Sequence, residues 1–317
     1  MLATFCCYML VCEFVITWTR RRTNDACVLC TNLCINVKAY PEPCKMHRTV
    51  RPTDNDYCSL LLEDEMSDVE TFLKEAYDNP NYVEIPFDTR KYQAAYMRQY
   101  FPELRDFITD ELGRFNLKPD DFGLNGKNLL NLNVCSIGGG PGTDVVGVYA
   151  YVRSILKDRT LVLTATIIDK YYEWENSWNV IEKKLNLNAD QEGLVKAAES
   201  AKGVWIKMNG YIGYDINTPA TRIVKKSVTE ANILLLIKFV SVVKSLPNFK
   251  RNLTTILRKA SQNSLLIYGD DSKDGSTEIF SGIAERAGFI PFRNRPQCDD
   301  LNGKQLNMCF QIWIKKL

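Results

Sequence analysis

The chain has 317 residues, 45% of them hydrophobic, and its 40 Lys and Arg stand against 38 Asp and Glu for a formal charge of +2. That length accommodates one large α/β domain with a sizeable core and a smaller N-terminal part. The near-even charge excludes a chain-wide field that would gather nucleic acid and leaves room only for a local basic patch.

Residues 1–25 read as an apolar leader. Met1 to Trp18 is broken only by Thr4, Glu13 and Thr17, and Arg20-Arg21-Arg22 follows. A membrane span needs about 20 apolar residues and tolerates a central charge poorly, so Glu13 counts against it. No positive charge precedes the run and no small residues follow it, unlike a cleavable signal peptide. Were the leader to insert, the arginines would keep the rest on the cytoplasmic side; a packed or irregular leader is the alternative.

Residues 26–65 form a cysteine-rich segment and a polar, proline-containing linker. Cys6, Cys7, Cys12, Cys27, Cys30, Cys34, Cys44 and Cys58 crowd the N-terminal part, whereas only Cys135, Cys298 and Cys309 lie beyond it. A secreted disulfide protein spreads its cysteines through the fold, so this distribution points to a reducing compartment, cytoplasmic or nuclear. Cys27, Cys30, Cys44 and His47 have the spacing of a tetrahedral structural zinc site, with Cys34 as a possible substitute ligand and a metal-free leader as the alternative.

Residues 66–127 carry helical patterning. Ser67 is expected to cap a helix bearing Val69, Phe72, Leu73 and Ala76, Asp88 to start a second that runs through Tyr100, and Pro102 to open a third with Leu104, Phe107, Ile108 and Leu112 inward. Arg90, Lys91, Arg98 and Arg105 alternate with Tyr92, Tyr96 and Tyr100. The pattern suits base stacking, but aromatic residues at helical spacing more commonly pack inward.

An apolar run from Leu132 then breaks into Gly138-Gly139-Gly140-Pro141-Gly142 and opens an amphipathic helix: strand, tight turn, helix. Glycines suit a loop whose backbone approaches a ligand at φ values that a Cβ disfavours. A dinucleotide fingerprint fails at its sixth position, which is Thr143 counted from Gly138 and Val145 counted from Gly140. No Gly-Lys-Ser or Gly-Lys-Thr exists for a P-loop. Downstream, Leu161 to Ile168 is a β-branched strand closed by Asp169, and Gly203 to Met208 is a short strand followed by a turn with Asp215. Ile233 to Val243 is a fourth, fully buried strand, and Ser245 to Ala260 a covering helix. Ser264 to Gly269 makes the fifth strand and exits into Asp270-Asp271-Ser272-Lys273-Asp274-Gly275-Ser276, read as a solvated turn and helix cap. Ser276 to Ala287 is a helix, and Phe289 to Phe292 and Asn307 to Lys315 are closing strands.

Gly-x-Gly-x-Gly at Gly138, Gly140 and Gly142, with Asp169 closing the next strand, resembles motif I and its surroundings in the class I S-adenosylmethionine-dependent methyltransferases. The resemblance spans 128–317. It implies a seven-stranded doubly wound α/β sheet with an antiparallel C-terminal hairpin, S-adenosylmethionine as cofactor, and the preceding helices as a lid. It places Gly138, Gly139, Gly140 and Gly142 against the cofactor's amino-acid end, Asp169 at the ribose and Asp215 at the adenine amino group, and counts Lys170 and Phe239 among the cofactor-binding residues. One position departs from the family, which has Asp or Glu two residues before the first glycine; here it is Ser136. After the fourth strand, Lys238-Phe239-Val240-Ser241 lacks the Asn-Pro-Pro-Tyr and Pro-Cys signatures and the ribose-methylating pattern of the family, which favours a small molecule or protein group as acceptor over nucleic acid. Two alternatives stay open: a catalytically silent cofactor-binding module, and another nucleotide-binding α/β enzyme.

Overall fold

The computed structural model describes residues 63–79, 83–124, 129–156, 160–185, 203–271, 275–292 and 308–316. All lie in one compact unit, His47–Leu317. Three helices come first: α1 (Glu63–Asp78), α2 (Arg90–Gln99) and α3 (Phe101–Arg114). Helix α1 begins upstream of Ser67, whose carbonyl accepts the Thr71 hydroxyl at 3.0 Å inside the helix, so Ser67 does not cap it. Thr89 rather than Asp88 precedes α2. Val69, Leu73, Ile85, Ala94 and Ala95 form a small core here, and Tyr92, Tyr96 and Tyr100 pack against it. The tyrosine-basic alternation therefore serves packing.

Strand β1 (Leu129–Ile137) leads through the glycine loop into α4 (Thr143–Ile155). β2 (Thr160–Asp169) and α5 (Glu175–Leu185) follow, then β3 (Gly203–Gly213), α6 (Arg222–Glu230) and β4 (Ile233–Ile237). After β4 come α7 (Val240–Val243), α8 (Phe249–Leu257), β5 (Leu265–Asp271), α9 (Ser276–Arg286), β6 (Phe289–Pro291) and β7 (Met308–Lys315).

The sheet order is β3-β2-β1-β4-β5-β7-β6. The first five strands are parallel, and β7 runs antiparallel between β5 and β6. This is the seven-stranded doubly wound α/β sheet with a closing antiparallel hairpin that the resemblance implies. The chain moves outward from β1 to β3, then returns to place β4 on the other flank of β1. Loops leaving β1 and β4 therefore diverge, which opens a crevice at the carboxyl ends of these strands.

The covering helix expected over Ser245 to Ala260 is confined to Phe249–Leu257, and two strands also differ from expectation. Ile233 to Val243 is a strand only as far as Ile237; Lys238 then adopts a left-handed φ of 53° and Val240–Val243 coils into a helix. Val240 and Val243 are as buried as the strand before them, so a nearly unbroken apolar run could not reveal the break. Strand β3 extends past Met208 to Gly213 because a bulge opposite Ala165 and Thr166 absorbs Asn209, whose amide donates to the Thr166 hydroxyl at 3.1 Å.

Helices α3 and α4 touch at Gly147. A Cβ there would lie 2.8 Å from Cβ of Ile108 and 3.1 Å from the Arg105 carbonyl. Gly147→Val is therefore expected to destabilise the protein by about 1–3 kcal/mol through overpacking. Gly282→Ala in α9, where the nearest atom is the flexible end of Arg286 at 3.7 Å, should be neutral or stabilising by up to about 1 kcal/mol. Urea unfolding of the two variants checks this opposition of sign.

Candidate functional site

The loop after β1 is shaped by packing on three of its glycines. Gly138, Gly140 and Gly142 have φ of 72°, 49° and 80°, the left-handed region in which a Cβ is strained. A side chain on Gly138 would strike the Phe239 ring, one on Gly139 the Ser136 side chain, and one on Gly142 the buried Trp178 and Ile167. Gly140 differs, because the nearest atoms to its would-be Cβ belong to Trp174 at 3.8 Å. It is thus the loop glycine with the most room around it, and Gly138 to Gly140 are only half-buried while Pro141 and Gly142 are buried.

Strand ends hold this loop in place. Gly138 N–H donates to the Ile168 carbonyl at 2.7 Å, and Gly140 N–H donates to Oδ2 of Asp169 at 2.9 Å. From β3, the Tyr211 hydroxyl donates to the Gly140 carbonyl at 2.8 Å. The other Asp169 oxygen accepts Tyr171 N–H at 2.9 Å. A carboxylate has about four acceptor sites, so Asp169 can fix the loop and still accept a ligand hydroxyl. Burial pushes its carboxyl up to about 6, against the lowering by the backbone N–H groups and Lys170.

The remaining expected cofactor residues take distinct positions. Asp215 follows β3 and sits beside Asp169, with Tyr214 N–H donating to the Asp169 carbonyl at 2.7 Å; its Oδ1 accepts Asn217 N–H at 2.8 Å. Lys170 is exposed and pairs with Glu84 upstream of α2, so its charge is directed at the N-terminal helices rather than at the loop. Phe239 lies against Gly138, at the start of α7. The loop, Asp169, Asp215 and Phe239 thus share the carboxyl-terminal edge of four adjacent strands.

The N-terminal helices wall this edge. Phe87 and Tyr96 meet Trp174 at ring centroid distances of 5.2 and 5.6 Å, and Trp174 is the side chain nearest Gly140. The Tyr96 phenol titrates above its ordinary range because of burial, then of the Asp144 and Asp169 carboxylates.

Asp144 is the site residue that the sequence reading missed. It occupies the first turn of α4, is 3% exposed, and its Oδ2 accepts the Ser136 hydroxyl at 2.5 Å while Oδ1 accepts its neighbour Val145 N–H at 2.8 Å. The negative charge absent from position 136 is therefore supplied from position 144. An acidic residue in a helix's first turn was the only visible sign, and that is an ordinary feature.

At the next strand ends, Asp270 is fully buried and accepts Ser241 N–H at 3.0 Å and Asp271 N–H at 2.9 Å. It ends β5 and receives the first turn of α7, which corrects its reading as a solvated turn residue. Lys238 N–H donates to the Gly269 carbonyl at 2.7 Å, and Nζ lies 3.6 Å from Asp271.

The expected zinc ligands Cys27, Cys30, Cys44 and His47, and the apolar leader, lie outside the described residues. Among the described residues no cluster of His, Cys, Asp and Glu could hold a metal ion, and no helix is long and apolar enough to cross a membrane. Cys135 is a buried thiol.

No family model and no curated protein matches the chain. Among solved structures it is similar to a methyltransferase dependent on S-adenosylmethionine from Leishmania major, at 8% identity and a TM-score of 0.41, covering 83% of this chain and 91% of that one. It is also similar to the DszA carbon methyltransferase, at 11% identity and a TM-score of 0.44, covering 88% of this chain and 71% of that one. A methyltransferase dependent on S-adenosylmethionine from Clostridium acetobutylicum gives 6% identity and a TM-score of 0.40, covering 72% of this chain and 98% of that one. Such distant likenesses carry no weight for activity or substrate.

Burial raises the Asp144 carboxyl from 3.8 to about 6, with Asp169 pushing in the same direction. A carboxyl whose pKa is higher folded than unfolded binds more protons in the folded state between those values, so its penalty is greatest above pH 6 and fades as pH falls towards 4. Unfolding free energies of wild type and Asp144→Asn, measured by denaturant at pH 7.5 and 4.5, should therefore shift relative to each other by about 2 kcal/mol in favour of wild type at the lower pH.

Proposed function

We propose that the chain transfers the methyl group of S-adenosylmethionine to a small molecule or a protein group. The reading is carried by one observation: the half-buried Asp169 holds the Gly140 N–H at 2.9 Å at the strand ends where the strand order reverses, and Gly140 is the loop glycine with the most room around it. A backbone that must pass close to a ligand, a carboxylate with acceptor sites to spare, and a second carboxylate at the next strand end match the amino-acid, ribose and adenine parts of this cofactor.

The donor set fits the cofactor's charge as well. Asp144 and Asp169 are held near the loop, and phenols line the wall beside them. When bound, the cofactor supplies a sulfonium methyl group open to in-line displacement by a nucleophile. For that chemistry the protein's task is placement and exclusion of water. Gly138, Gly139 and Gly142 hold the loop's shape, Asp169 pins Gly140, and Phe87, Tyr96 and Trp174 keep the wall apolar. Lys238 and Asp271 stand at the adjoining strand ends, where an acceptor would approach. The acceptor class rests on the motifs absent after β4.

Calorimetric titration tests the reading. S-adenosylmethionine and S-adenosylhomocysteine should each bind saturably at one site, while NAD should not; saturable NAD binding with neither sulfur ligand bound would overturn it. Asp169→Ala should weaken both sulfur ligands at least about tenfold, the loss expected for one charge-assisted hydrogen bond together with release of the Gly140 N–H. Labelled methyl donor supplied to cell extract fractionated into small molecules, protein and RNA should mark one of the first two fractions.

A further inference from the structure

We infer that Asp144 is a specificity-determining residue that makes the site distinguish a cationic sulfonium ligand from its neutral thioether counterpart. The inference rests on the proposed cofactor.

Asp144 is buried beneath the loop, yet among the described residues no ion pair neutralises it. Its partners are a hydroxyl and a backbone N–H, which orient a carboxylate without cancelling its charge. The start of α4 offsets roughly half a charge. Asp169 adds a second negative group on the same side, and Lys170, the cation that acts on Asp169, is engaged by Glu84. The field beside the loop is therefore negative.

Other groups that feel Asp144 leave this field in place. The groups facing it are the phenols of Tyr96 on α2 and Tyr211 on β3, the Cys135 thiol on β1 and the Asp169 carboxyl on β2. Burial, together with Asp144, keeps the phenols and the thiol neutral at ordinary pH. Next to Asp144, the Thr143 hydroxyl is 2% exposed and faces the Tyr96 phenol. A buried carboxylate that no cation neutralises favours a positively charged ligand beside it.

S-adenosylmethionine and S-adenosylhomocysteine differ by a methyl group and one positive charge. A unit charge felt across a partly hydrated site, where the effective dielectric constant exceeds 20, changes affinity by about three- to tenfold. Asp144 acts on the ligand through that field and not by contact, so it favours the donor before transfer and weakens the hold on the product after it.

The test is the ratio of the two dissociation constants, measured by calorimetry on the full chain. Wild type should bind S-adenosylmethionine more tightly than S-adenosylhomocysteine, and Asp144→Asn, which keeps the Ser136 contact, should reduce that ratio about three- to tenfold, chiefly by weakening S-adenosylmethionine. Should Asp144→Asn fail to fold, the wild-type ratio between pH 8 and 5 serves instead. It should be constant at high pH and fall as pH drops through about 6, where Asp144 and Asp169 take up protons. An unchanged ratio in the variant, or a pH-independent ratio in wild type, overturns the role of Asp144 while leaving the cofactor assignment intact. Absence of saturable binding of either ligand to wild type overturns both.

Discussion

The hydrogen bond from Gly140 N–H to the Asp169 carboxylate is the constraint on which the site depends. It joins the ends of β1 and β2, and it fixes the glycine of the loop with the most room around it. The same carboxylate takes Tyr171 N–H, which sets the course of the chain towards Trp174 and thus the aromatic wall. A single half-buried acid therefore determines loop shape, strand-end spacing and the position of the wall. Its raised pKa reflects the cost of placing that acid where water is scarce.

The architecture around this constraint gives it meaning. Reversal of strand order at β1 and β4 makes a crevice independently of side chains, and the glycine loop lies in it because it follows β1. Ser136 and Asp144, at the end of β1 and the start of α4, brace the loop from beneath. Phe239, reached only because β4 stops at Ile237, braces it from the other flank. Stability and ligand preference pull against each other at this point, since a carboxylate that destabilises the empty protein at neutral pH is the one suited to hold a cation.

Much of this was legible in the sequence because local signals and tertiary demands agreed. The loop, Asp169, the terminal strands and the third helix follow from turn glycines, β-branched runs and helical spacing. The break at Lys238 was hidden because Val240 and Val243 bury as fully in a short helix as they would in a strand. Asp270 was misread because a run of acids resembles a turn, whereas its burial depends on α7 folding back to donate Ser241 N–H. Asp144 was missed because the pairing with Ser136 bridges 8 positions across the loop and exists only once that loop has closed.

The placement of β7 has a consequence for how the sheet is assembled. Strand β5 is buried along almost its whole length, and its outer edge is satisfied by residues 308–315, which also carry β6. Until that late segment arrives, Leu265 to Tyr268 presents a bare apolar ribbon with unpaired amides, a template for adhesion to other chains. Chains interrupted before Met308 should then clump rather than stay dispersed, even though every group of the glycine loop has already been made.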